Sequence, residues 1–176
     1  MWFPALRVRE HDKHVQMAPV SVDGLLQEVR REHELDALQK RVRIRVVRSR
    51  CWIMSDALLL GAALHNLVGN AIKYTEPGGR ILLGCRDFRH LVRIDVLDTG
   101  IGISEMHLSK IFDAFVRIDA TQDEGLGIGL FIVRQATAVL GHRLDVSSVA
   151  GRGTRFSIFA KRACASDPSR PDGRQF

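Results

Sequence analysis

At 176 residues and 45 % apolar content, the chain has the length of one domain and enough apolar side chains to bury a core, which excludes a disordered chain. Its net charge is +6, its three cysteines (Cys51, Cys85, Cys164) form no Cys-x-x-Cys pair, and its longest apolar-and-glycine run, 57–64, falls far short of a membrane span. These features speak against a zinc ribbon, a disulfide framework and a transmembrane segment, and fit reduced thiols in a cytosolic protein.

Residues 1–17 are polar, His-rich and without period; they read as a tail or linker, and the start lacks the basic and apolar regions of a signal peptide. His11 and His14 have no second ligand pair nearby, so a metal is not expected there. From Ser21, a plausible N-cap, Val22, Leu25, Leu26, Val29, Leu35 and Leu38 recur at helical spacing, predicting one amphipathic helix over 21–39. Strands follow over 42–47 and 52–54, and Ser55 is placed to cap a long helix over 56–74 that Glu76-Pro77-Gly78-Gly79 stops. Alternation over 80–85 and 91–97 predicts a hairpin turning near Asp87. A short helix over 105–112, a polar loop, a helix over 127–140 ended by Gly141, and strands over 144–148 and 154–159 complete the core. Hairpin strands interspersed with helices predict an α+β fold, with helices on one face of a mixed, mainly antiparallel sheet. The composition after 161 is that of a disordered tail, which gives an expected division into 1–17, a domain over 18–161, and a tail over 162–176.

Part of the positive charge sits where Arg41, Arg43 and Arg45 alternate with Val42, Ile44 and Val46. A strand with one wet face accounts for it; with no aromatic side chains there to stack bases nucleic acid is not expected, and with no apolar run long enough to span, membrane contact is not expected of this chain either.

Three clusters carry chemistry. On the long helix, Asn66, Asn70 and Lys73 fall within one narrow sector, while Leu60, Leu64, Leu67 and Ala71 line the side that meets the sheet. Asn oxygens can ligate Mg²⁺ without repelling a triphosphate, and Lys can pair with a phosphate; a solvated polar stripe is the competing reading. Asp98-Thr99-Gly100-Ile101-Gly102-Ile103 follows a strand, so glycine lets the backbone approach a flat ligand and Asp98 can accept from an amino group. Glu105 stands where a dinucleotide fingerprint would need its third glycine, and no Gly-x-x-x-x-Gly-Lys loop occurs. Gly125-Leu126-Gly127-Ile128-Gly129-Leu130 leads into a helix, whose free N–H groups suit a phosphate chain.

In order and spacing, Asn-x-x-x-Asn-x-x-Lys-Tyr, Asp-x-Gly-x-Gly, Phe112 with Phe115, and Gly-x-Gly-x-Gly resemble the ATP-binding catalytic domain of sensor histidine kinases. That domain lies within the wider superfamily shared with DNA gyrase, mismatch-repair ATPases and a heat-shock chaperone. Gly151-Arg152-Gly153-Thr154 and Phe156 extend the similarity, which spans about 18–161. The resemblance implies a two-layer, Bergerat-type sandwich that binds ATP and Mg²⁺. It implies Asn70 as the Mg²⁺ ligand with Asn66 assisting, Lys73 and Arg117 as phosphate contacts, and Tyr74 stacked on the base. Asp98, with Thr154 near the same edge, would take the adenine amine, beside a loop formed by Gly100, Ile101, Gly102 and Ile103. Phe112 and Phe115 would hinge a lid over 115–125, and the backbone of Gly125, Leu126, Gly127, Ile128, Gly129 and Leu130 would face the phosphates.

Hydrolytic relatives place a Glu general base where Asn66 stands, and an amide cannot accept a proton, so transfer to a protein histidine is expected rather than hydrolysis. The His-Glu-x-x-x-Pro acceptor motif is absent. Glu32-His33-Glu34-Leu35 imitates its start, but His33 reads as a solvated helix residue and the adjacent His65 as surface packing. The expected partners are therefore a histidine-bearing dimerisation domain and a response regulator, in the cytoplasm, whether alone or as the cytoplasmic part of a membrane-bound sensor. An anti-sigma-type serine kinase and a non-catalytic ATP-sensing module are the alternatives.

Overall fold

The computed structural model describes residues 15–113 and 128–163. The lid segment 115–125, with Phe115, Arg117 and Gly125, lies outside the described residues, as do Leu126, Gly127, His11, His14, Cys164 and most of both expected tails.

The elements run β1 (Ala18–Ser21), α1 (Val22–Glu32), α2 (Glu34–Gln39), β2 (Arg43–Val46), β3 (Trp52–Ser55), α3 (Ala57–Tyr74), β4 (Arg80–Phe88), β5 (Leu91–Asp98), α4 (Glu105–Leu108), α5 (Gly129–Val139), β6 (Arg143–Val149) and β7 (Gly153–Lys161). A five-stranded sheet has the order β2-β4-β5-β7-β6, and β1 pairs with β3 in a separate two-stranded ribbon. Among the described residues β2–β4 is the parallel pair and the other pairs are antiparallel. The helices lie on one face, giving the expected two-layer α+β fold.

Periodicity explains the layering. On β4, β5 and β7 the inward residues Ile81, Leu83, Val92, Ile94, Val96, Phe156 and Ile158 are buried, and Leu60, Leu64, Leu67 and Ala71 of α3 meet them. Fully burying one Leu contributes about 1.5–3 kcal/mol, so this α3 stripe fixes how the helix is rotated about its axis. Its polar face is thereby held away from the sheet.

Several expectations are corrected. The helix over 21–39 is two helices, α1 and α2, because the His33 backbone turns (φ −97°, ψ 7°) while its side chain docks on α3. Leu35 and Leu38 are 70 % and 72 % exposed, and Ala37 takes the buried place. His33 is no solvated residue: it is 4 % exposed, its Nε2 donates to the His65 carbonyl at 3.1 Å, and its ring lies 4.2 Å from that of His65. Burial, then the neighbouring His65, hold the His33 pKa below its usual value. Ser21 does cap α1, accepting from Gly24 N at 3.2 Å. Ser55, however, belongs to β3, and Asp56 caps α3 by accepting from Leu58 N and Leu59 N at 2.9 and 3.1 Å. Residues 18–21 form a strand where none was expected, and Arg41 sits in the turn before β2 with φ +59°. The hairpin turns at Arg89 and His90 rather than Asp87, and the helix over 105–112 shortens to Glu105–Leu108. Arg162 and Ala163 remain attached through bonds to the His90 and Trp52 carbonyls, two residues past the expected domain end. Cys51 and Cys85, distant in sequence, are neighbours on the core, and burial pushes the Cys85 thiol up to about 11, so it stays protonated.

Ser55 and His142 form a polar pair inside the fold, with Ser55 Oγ 2.9 Å from His142 Nε2. Burial lowers the His142 pKa from its usual 6.5, so the unfolded chain takes up a proton at higher pH than the folded one. Stability is therefore full above 6.5 and is lost as pH falls below it. Urea midpoints measured from mildly alkaline to mildly acidic pH should fall in that direction, and His142→Gln should make the fall shallower, His33 retaining its part. A midpoint that rises on acidification would contradict the assignment.

Candidate nucleotide-binding site

The second half of α3 brings together the first two sequence clusters and, of the third, the described residues Ile128, Gly129 and Leu130. Asn66 Nδ2 donates to the Ala62 carbonyl one turn back at 2.9 Å, which turns Oδ1 toward α5. A Cβ on Gly129, the first residue of α5, would lie 3.1 Å from that oxygen and 3.7 and 3.8 Å from the Asn70 amide. Glycine at 129 thus lets the helix N-terminus, whose first N–H groups have no partner within the helix, stand over the two amides. Ile128 and Leu130, on either side of it, are half-buried.

At the last turn of α3, Lys73 Nζ lies 5.5 Å from the Tyr74 ring centroid. Lys40 Nζ donates to the Ile72 carbonyl at 2.8 Å and also to that of Lys73, satisfying carbonyls that the helix end leaves open. Burial is the largest cause lowering the Lys40 pKa; Glu76 acts the other way and Lys73 in the same sense. Sequence reasoning missed Lys40, since nothing in the pattern ties α2 to this end of α3.

The loop after β5 is locked onto α3. Ile101 N donates to the Tyr74 carbonyl at 3.1 Å, and a Cβ at Gly100 would sit 2.3 Å from that same oxygen, so only glycine fits. Gly102 (φ +67°) and Gly153 (φ +95°) have left-handed backbone, and a Cβ on them would fall 2.1 Å from the Val149 carbonyl and 2.0 Å from that of Asp98. Asp98 Oδ1 accepts from Gly100 N at 2.8 Å and Thr154 N at 3.2 Å. Burial raises the Asp98 pKa more than those two bonds lower it. Ser148, a second residue the sequence did not reveal, accepts from Ile103 N at 2.8 Å, donates to the Gly153 carbonyl at 2.9 Å and touches Thr154 Oγ1. Phe112 packs edge-on against Phe156 with ring centroids 6.2 Å apart.

The structure thus gathers Asn66, Asn70, Lys73, Tyr74, Asp98, Gly100, Ile101, Gly129 and Thr154 around one end of α3. His65 points elsewhere, to Glu32 Oε2 at 3.2 Å.

Comparisons with known proteins place the fold in a family. Residues 55–163 match the family described as histidine kinase-, DNA gyrase B-, and HSP90-like ATPase. Sensor histidine kinase CusS of Escherichia coli K12 is 39 % identical over 126 residues, covering 69 % of this chain and 26 % of its own length. Sensor histidine kinase AtsR of Burkholderia thailandensis is 33 % identical over 166 residues, 87 % of this chain and 27 % of its own. The crystal structure of full-length ShkA in complex with AMPPNP superposes with a TM-score of 0.76 at 34 % identity, covering 89 % of this chain and 33 % of that one. This chain spans about a quarter of the length of the curated relatives it matches. The chain belongs to the family of histidine kinase-, DNA gyrase B- and HSP90-like ATPases, on the sensor histidine kinase branch.

Proposed function

We propose that this chain binds Mg-ATP across α3 and donates the γ-phosphoryl group to a histidine on a separate dimerisation domain, as the catalytic part of a two-component sensor kinase with a response regulator downstream. The observation that carries this reading is the placement of the Asn66 and Asn70 amides directly beneath Gly129 at the start of α5. In this arrangement the α5 N-terminus faces the phosphates, Lys73 neutralises part of their charge, Tyr74 stacks on the base and Asp98 receives its amine.

The donor set fits a magnesium ion. Among the described residues no three His, Cys, Asp or Glu side chains converge as a metal site. The ion would rest on the Asn70 and Asn66 oxygens and on phosphate oxygens, the usual way Mg²⁺ is held with a nucleotide. When bound, it supplies charge neutralisation on the transferring phosphoryl group. Asn66 offers no general base, which favours a histidine nucleophile over water. Arg117, Phe115, Gly125, Leu126 and Gly127 complete the site in this proposal as terminal-phosphate contact, lid hinge and phosphate-facing backbone. Among the described residues no helix is long and apolar enough to cross a membrane, and a cytoplasmic setting is part of the proposal.

The test is transfer in trans. Incubated alone with Mg-ATP the chain should take up no phosphate, whereas an added dimerisation domain bearing an acceptor histidine should be labelled slowly with an acid-labile phosphate. Label on His33 of this chain, or an acid-stable phosphate on the acceptor, would overturn the assignment.

A further inference from the structure

The face of the five-stranded sheet opposite the helices plays no part in the nucleotide site. The strand registers put Arg86 of β4, Arg93 of β5, Phe159 of β7 and Arg143 of β6 in one row across it. Arg43 and Arg45 of β2 and Arg80 of β4 extend the positive charge to one edge, and Arg155 and Lys161 add to it near the two ends of β7. Two carboxylates, Asp95 and Asp145, oppose these eight cations, and both are engaged, Asp95 with Arg93 at 3.0 Å and Asp145 with Arg143 at 3.1 Å. The excess on this one face therefore equals the net charge of the whole chain, +6, and everything else in the sequence is balanced. Among the described residues, Arg43, Arg45, Arg80 and Arg86 have no acidic partner, and all four are exposed. Like charges side by side across strands are unfavourable, so a face of this kind calls for an anionic counter-surface.

The hairpin tip narrows the choice of partner. Phe88 and Leu91, cross-strand partners at the end of β4 and β5, are 48 % and 40 % exposed next to Arg86 and Arg93. A broad cationic plane with an exposed apolar pair flanking the Arg89–His90 turn matches an anionic bilayer, where guanidinium groups meet headgroup phosphates and apolar side chains enter the acyl boundary. Binding of single-stranded nucleic acid would need open aromatic faces. Here the Phe159 ring is covered by the Arg143 guanidinium at 3.8 Å, and the Phe88 ring has that of Arg93 at 5.5 Å.

We propose that this sheet face, which no helix of the described residues covers, is with the exposed Phe88–Leu91 pair a peripheral docking surface for anionic phospholipid bilayers. The Arg43 and Arg45 stripe alone pointed only to a wet strand face; the fold joins it to five more strand-borne arginines. Because the nucleotide site lies on the helical layer, docking leaves it accessible.

The experiment is sedimentation of the 176-residue chain with vesicles of phosphatidylcholine alone or equimolar with phosphatidylserine, with binding of a fluorescent ATP analogue as the folding control. Binding should require phosphatidylserine, weaken with added salt, and drop at least about ten-fold in the triple variant Arg43→Glu, Arg45→Glu, Arg86→Glu. Phe88→Ser with Leu91→Ser should weaken it at unchanged charge, while both variants keep the ATP analogue. No phosphatidylserine-dependent binding at low salt, or equal binding by the charge-reversed variant, would overturn the proposal. So would preferential retention of a single-stranded oligonucleotide or polyglutamate, which would assign the face to nucleic acid or to an acidic protein.

Discussion

Asn70→Ala should abolish measurable Mg-ATP binding while leaving the fold intact. Asn70 is on the α3 face turned toward Gly129, not on the buried stripe of Leu60, Leu64, Leu67 and Ala71, so trimming it opens no core cavity. Alanine is also the better helix former, which removes a trivial cause of instability. What is lost is an amide oxygen that would hold the metal against the phosphates. Groups that only support a metal ligand already cost about 10–100-fold when removed, so loss of a direct ligand should cost at least about 100-fold. Calorimetric titration with Mg-ATP, alongside thermal unfolding, checks both halves of the expectation. Unchanged affinity in a normally folded Asn70→Ala chain would sink the metal assignment.

The rotational setting of α3 was legible in the sequence because a buried stripe at 3.6-residue spacing leaves one face for polar groups, and the Asn66–Asn70–Lys73 sector is what remains. The glycine motifs were legible for a related reason. At Gly100 and Gly153 the structure has no room for a Cβ, and a residue that carries a conformational cost without apparent benefit marks a close approach. Less legible was anything set by tertiary contact between distant segments. Leu35 and Leu38 continued the α1 period, but burial of His33 against α3 broke the helix and turned them to solvent. Ser55 and Asp56 are both good caps, and only the pairing of β3 with β1 takes the serine into a strand. Ser148 and Lys40 sit in unremarkable contexts, and their roles come from the backbone groups that the fold places beside them.

These tertiary contacts also explain why α3 organises the site. Its N-terminus is held by Asp56, its middle faces α5 through Gly129, and its C-terminal carbonyls are bonded by Lys40 and Ile101. In the proposed site Asn66, Asn70, Lys73 and Tyr74 would then share one element, which would keep their spacing fixed before a nucleotide arrives and lower the ordering cost of binding.

ATP should outcompete GTP by at least about ten-fold, and Asp98→Asn should narrow that gap from both sides. Asp98 Oδ1 is engaged by Gly100 N and Thr154 N, so Oδ2 is the oxygen that would accept the exocyclic amine of adenine. Guanine presents a carbonyl oxygen there, setting acceptor against charged acceptor in a site whose burial already disfavours the carboxylate. An unpaired buried group costs about 1–3 kcal/mol, and a charged one more, which sets the ten-fold expectation. In the asparagine variant the same two backbone donors should keep the amide oxygen at the Oδ1 position, turning the NH₂ group toward the ligand. That reverses the polarity read by the base: adenine's amine meets a donor and guanine's carbonyl gains one. Competition of ATP and GTP against a fluorescent ATP analogue at fixed Mg²⁺, on wild type and Asp98→Asn, measures both shifts. If the wild-type chain binds the two nucleotides equally, Asp98 does not read the base, and the adenine pocket must be sought elsewhere along α3.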